Sequence, residues 1–139
     1  MTTDTVDHKP SKALNIGLWI VQVLLAAMFL MSGFMKLMTP VDALAQSLPW
    51  VTSVPPLLVK FIGFSEVAGA LGLILPALTR IAPFLTPLAA AGLALIMLPA
   101  MGLHLMRGET PMIGMNLFLM ALALFVAWGR FRKAPIASR

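Results

Sequence analysis

The chain has 139 residues, 60 % of them hydrophobic and 11 % charged, with 10 Lys or Arg against 5 Asp or Glu and a formal net charge of +5. A soluble domain of this size carries about 25 % charged residues to solvate its surface, so a water-soluble fold is excluded. The apolar runs of bilayer length also exclude a nucleic-acid module, despite an isoelectric point near 10.5. With no cysteine, the chain holds no disulfide, thiolate metal site, c-type haem attachment or dithiol redox centre.

In chain order, residues 1–15 read as a polar leader, residues 16–128 as an all-α, integral membrane four-helix bundle, and residues 129–139 as a basic tail. The first span covers residues 16–38. It is too long for a secretory signal, whose apolar region is about 7–15 residues. A proline-broken connection follows, with Pro40, Pro49, Pro55 and Pro56 forbidding a continuous helix. Between these prolines, VDALAQSLPW has room for about two turns of interfacial helix, with Trp50 as a ring suited to headgroup depth. The second span, residues 57–75, opens after Pro56 and is closed by Pro76. The third, residues 81–106, carries Pro99 within its apolar run, so a carbonyl is freed there for another donor. The turn RGETP leads into the fourth span, residues 112–128.

Four spans bring both termini to one face, together with Lys9, Lys12, Arg80, Arg130, Arg132, Lys133 and Arg139. Arg107 alone lies in a connection on the other face. The positive-inside rule then places both termini in the cytoplasm, and a basic tail there is also suited to anionic lipid. Small residues predict close packing of the second and third spans, through Ala68, Gly69 and Gly72 on one and Ala89, Ala90, Ala91 and Gly92 on the other.

An ionisable group within a span costs at least about 2.5–3.5 kcal/mol at the bilayer centre and marks a functional position with a partner to be found. Glu66 is such a group, midway along the second span. At about 1.5 Å per residue, Ser32 and Asn116 come out about 5–8 Å outward of the middle, and Lys36 and His104 about 13–15 Å outward. The inner half holds only Gln22. This asymmetry predicts a polar cleft opening outward, with Glu66 as its floor, Ser32 and Asn116 on its walls, and Lys36 and His104 at its mouth. The competing reading of Glu66 is a structural latch, hydrogen-bonded across helices to Asn116 or Ser32. Lys36 and Lys60 read as snorkelling cations unless one of them neutralises Glu66, and His104 as a headgroup-level residue. There is no phosphate loop, hydrolase triad or zinc-protease motif.

The strings Ser32-Gly33-Phe34-Met35-Lys36-Leu37 and Glu66-Val67-Ala68-Gly69-Ala70-Leu71-Gly72-Leu73, with the run LPALTRIAPFLTPLAAAGLALIML, resemble the DoxX-like family of small bacterial four-helix membrane proteins over residues 18–131. The resemblance implies a multi-pass protein of the bacterial inner membrane. It also supports Ser32, Lys36, Glu66, His104 and Asn116 as family-type polar positions. Named members include small subunits of a thiosulfate:quinone oxidoreductase, although the absence of cysteine argues against sulfur-relay chemistry by this chain.

Two functions follow as expectations. In the first, the cleft binds a quinone or similar amphipathic molecule as part of a redox system, with Glu66 and His104 exchanging protons. In the second, the chain is a non-enzymatic assembly subunit that seats a partner protein. No metal or resident cofactor is expected beyond a quinone, and the expected partners are membrane lipid and either another protein or a second copy of the chain.

Overall fold

The computed structural model describes residues 11–139; the leader residues His8 and Lys9 lie outside it. Helix α1 spans Lys12–Met38, α2 Val41–Ser47, α3 Pro56–Thr79, α4 Leu85–Met106 and α5 Thr110–Trp128, with a short 3₁₀ turn at Pro49–Ser53 and a wide π-type turn at Gly129–Lys133. Four of these helices, α1, α3, α4 and α5, are long and apolar enough to cross a membrane.

The ends of the helices follow from local chemistry. The Ser11 side chain accepts from the Leu14 amide to start α1. Thr39, held extended ahead of Pro40, ends it. Proline stands at the first turn of both α3 and α5, where its missing amide costs nothing.

Pro76 does not close the second span, because α3 runs through it to Thr79. A proline inside a helix leaves the carbonyl four residues earlier without its donor, and here that carbonyl belongs to Gly72. The Thr86 hydroxyl of α4 donates to it at 2.9 Å, so a neighbouring helix restores the missing bond. The helix ends instead at Arg80, which takes a left-handed conformation with φ 60°. The following span accordingly starts at Leu85 rather than at residue 81.

The spanning helices pack in the order α1, α3, α4, α5, and α5 closes the ring on α1. Side chains of Leu25, Phe29, Leu73, Leu93, Met97 and Val126 form the apolar centre. Large apolar residues such as Phe61, Phe64, Leu95 and Phe118 cover the outside, as helices that are hydrophobic all round require in lipid. The α3–α4 contact uses the small residues expected of it. A Cβ added to Gly72 would meet Ala89 at 2.7 Å, and one added to Gly69 would meet Leu93 at 2.6 Å. Ala68 and Gly92, in contrast, face outward, and a Cβ added to Gly92 would meet nothing within 4 Å. A second close approach, between α1 and α3, rests on Gly33 and Gly63: a Cβ on Gly33 would lie 2.6 Å from the Gly63 carbonyl oxygen.

Candidate functional site

Of the five candidate residues, Ser32, Lys36 and Glu66 are brought into one hydrogen-bonded group. The Lys36 Nζ donates to Glu66 Oε1 at 2.6 Å and to Ser32 Oγ at 2.6 Å. Glu66 is only 3 % exposed and Lys36 7 %. Lys36 therefore turns inward rather than snorkelling to a mouth. Helix geometry explains why two residues placed at different depths meet. Side chains lean toward the N-terminus of their own helix. α1 and α3 are antiparallel, so Lys36 leans toward the bundle middle while Glu66 leans toward the end where Lys36 stands. Gly33 and Gly63 keep the two backbones close enough for the pair to form.

Lys60 serves the same helix end differently. Its Nζ donates to the Lys36 and Thr39 carbonyls at 2.7 and 2.8 Å, which supplies donors to the carbonyls left open where α1 stops and places a cation at the negative end of its dipole.

Trp50 is buried against its neighbours rather than turned outward. Its ring lies 5.8 Å from Lys36 Nζ, within cation–π range, and meets the His104 ring edge-on at 6.5 Å. His104 is also buried, and its Nδ1 shares a 3.0 Å hydrogen bond with Glu109 Oε1. Arg107 Nε donates to the same oxygen at 3.0 Å, and Arg107 Nη1 also donates to Ser53 Oγ. The connection after α1 is thus tied to the α4–α5 link, covering the polar group where an open cleft was expected. Glu109 lies outside the spans, and the His104 hydrogen bond, helped by Arg107, holds its carboxyl below the usual carboxylate range.

Asn116 makes no bond to Glu66 or Ser32, so the latch built on it is not formed. Glu66 is latched by Lys36 instead. Asn116 stands six residues from the start of α5 and Ser32 six from the end of α1, so both lie about 9 Å below this end of the bundle. Asn116 is 8 % exposed, and its Nδ2 is buried without a hydrogen-bond partner.

The opposite end holds a charge that the sequence reading assigned to the basic tail. Arg130 is 3 % exposed. The π-type turn after α5 carries it back over the bundle, where Nε donates to Gln22 Oε1 at 2.7 Å. Its Nη1 donates to Asn15 Oδ1 at 2.8 Å and to the Ala134 carbonyl at 2.9 Å. Gln22 in turn donates to the Leu73 carbonyl at 2.7 Å. Gln22 was the signal available in the sequence, since a lone amide buried at this depth needs partners. Glu109 was the other residue passed over, as an ordinary turn acid beside Arg107.

Among the described residues, no group of three or more His, Asp or Glu side chains is placed to hold a metal ion. No curated protein and no solved structure matches the chain. The family model described as the DoxX-like family matches residues 20–126, across all four spans and every residue of the Lys36–Glu66 group. The chain is a four-span membrane protein that belongs to the DoxX-like family.

Proposed function

We propose that this protein is a membrane-integral binding subunit of a redox system, and that its polar group near the α1–α3 connection takes the head of a small amphipathic molecule of the quinone type. The observation that carries this reading is the Asn116 amide, whose buried Nδ2 has no acceptor. A buried donor left unpaired costs about 1–3 kcal/mol, and a ligand carbonyl at this depth removes that cost. When a redox partner subunit delivers or withdraws the electrons, His104 exchanges the proton that quinone chemistry needs for each one, with Glu109 and Arg107 linking it to the end of the bundle. The Lys36–Glu66 pair positions the surrounding helices and keeps the site neutral.

The test is equilibrium binding of a short-chain quinone to the purified chain, read by quenching of its tryptophan fluorescence. Asn116→Leu is expected to weaken binding about tenfold, the equivalent of one hydrogen bond. His104→Ala is expected to slow turnover of quinone in membranes that also hold the electron-donating partner, with a smaller effect on affinity. Unchanged binding and turnover in both variants would overturn the reading.

One observation favours a second reading, a non-enzymatic assembly subunit that seats a partner protein. Glu66 is already neutralised by Lys36, so the group is largely satisfied without a ligand. Failure of the wild-type chain to bind quinone, together with a stoichiometric partner retained in mild detergent, would establish this alternative.

A further inference from the structure

The Arg130 end carries a second site, independent of the function proposed above. A groove of about 430 Å³ lies there, lined by Lys12, Asn15, Trp19, Arg80, Arg130 and Ile136 among others. Three of these side chains are cationic, and none of the residues lining the groove is acidic. Arg130 is the built-in element. Two of its nitrogens are fixed by neutral oxygens and its guanidinium lies 5.6 Å from the Trp19 ring centroid, while Nη2 is buried with no acceptor. The charge on this guanidinium is permanent, and among the described residues no carboxylate pairs with it.

Arg80 is held over the groove by two features. It stands at φ 60°, in the left-handed region, followed by Ala82 at φ 47°. Non-glycine residues in this region cost energy and persist where the surroundings fix them. The fixing comes from the tail, since Arg80 Nε donates to the Ala137 carbonyl at 2.9 Å and the Arg139 amide donates to the Arg80 carbonyl at 2.9 Å. A second groove, of about 420 Å³, shares Arg130, Pro135 and Ile136 with the first and is flanked by Phe84, Pro87 and Phe131. One cationic groove and one apolar groove thus meet at a single arginine.

We infer that this end is a binding site for the phosphate head of an anionic phospholipid. The phosphodiester accepts from Arg130, Lys12 and Arg80, and an acyl chain passes along Phe84 and Phe131. The shape separates this site from diffuse attraction to the basic tail, because Arg132 and Lys133 do not line the cationic groove.

The experiment is titration of the whole chain in detergent with phosphatidylglycerol, followed by native mass spectrometry, with phosphatidylcholine and inorganic phosphate as parallel arms. One phosphatidylglycerol per chain is expected to survive where phosphatidylcholine does not. The pair Lys12→Gln and Arg80→Gln is expected to weaken retention at least about tenfold, each cation contributing its share of the attraction. The pair Arg132→Gln and Lys133→Gln removes the same charge away from the groove and is expected to leave retention within about twofold of wild type. Because Arg130 also holds Asn15 and Gln22, it is left in place. Because Arg80 Nε also holds the Ala137 carbonyl, Lys12→Gln alone serves as the arm that removes a groove cation while leaving the tail contact intact, with a retention loss of about fivefold expected. Equal loss in both pairs would overturn the site in favour of a general charge effect. Equal retention of phosphatidylcholine, or displacement of phosphatidylglycerol by an equal concentration of inorganic phosphate, would overturn the anionic lipid as its occupant.

Discussion

Each end of the bundle buries one cation, and the two are stabilised in opposite ways. Near the α1–α3 connection, Lys36 meets a carboxylate of its own chain at 2.6 Å. At the other end, Arg130 is surrounded by an amide oxygen from Gln22, another from Asn15 and a backbone carbonyl. The first arrangement is neutral and satisfied internally. The second is well hydrogen-bonded but keeps its positive charge, so an anion from outside the chain is the natural complement. Residue chemistry matches this division: an ammonium is a compact, strongly hydrated charge that needs a counter-charge when buried, whereas a planar guanidinium is less strongly hydrated and is served by several neutral acceptors.

The comparison predicts a graded set of effects on thermal unfolding of the detergent-solubilised chain. The largest belongs to Glu66→Gln, which strands the Lys36 ammonium and should cost about 3–5 kcal/mol. The double variant Glu66→Leu with Lys36→Met removes both charges and should recover most of that loss, because a buried pair replaced by apolar side chains is often neutral. A double variant as unstable as the single would show that the pair is not the source of the cost. At the other end, Gln22→Leu takes one neutral acceptor from Arg130 and should cost roughly 1.5–3 kcal/mol, the range for a hydrogen bond to a charged group. A loss as large as that of Glu66→Gln would remove the distinction between the two ends. Thr86→Val tests the repair of the α3 ladder at Pro76 and should cost only about 0.5–1.5 kcal/mol, as for a neutral hydrogen bond.

The smallest effect concerns pH. The carboxyl of Glu109 is held below its ordinary value of 4.5, chiefly by the His104 hydrogen bond. A carboxyl depressed on folding contributes stability that is fully present above the unfolded value and is lost as pH falls through the lower, folded one. Protection from hydrogen exchange around Ser53, with the intrinsic pH dependence of amide exchange divided out, should therefore hold from neutral pH down to about 4.5 and fall only below it. Glu109→Gln should abolish that transition. Loosening of the same segment above pH 5 would show that another group governs it.

Much of the architecture was legible in the residues. Apolar runs of bilayer length gave the spans, and Pro40 and Pro56 gave the end of α1 and the start of α3, because in lipid every backbone group must be satisfied within the structure and few alternatives to a helix exist. Pro76 was misread for an instructive reason: a proline stops a helix unless a neighbour supplies the lost bond, and Thr86 is fourteen residues along the chain from the Gly72 carbonyl it serves. Glu66 stood out in the sequence as a charge out of place. Its partner Lys36 was named only as the exception to a snorkelling reading, since depth counted along each helix ignores the opposite lean of side chains on antiparallel helices. Trp50 was read as a headgroup ring from its place in a connection and Arg130 as part of a basic tail, and both are buried by chain segments that fold back over the bundle ends.

The amino-acid sequence alone determined that this chain spans a membrane with four helices and must solve the problem of an acid within one of them, because the free energy of placing polar groups in hydrocarbon depends mainly on residue type and run length. Tertiary structure decided which cation answers that acid and which cation is left with neutral partners, because those outcomes depend on hydrogen-bond distances between helices far apart in the chain.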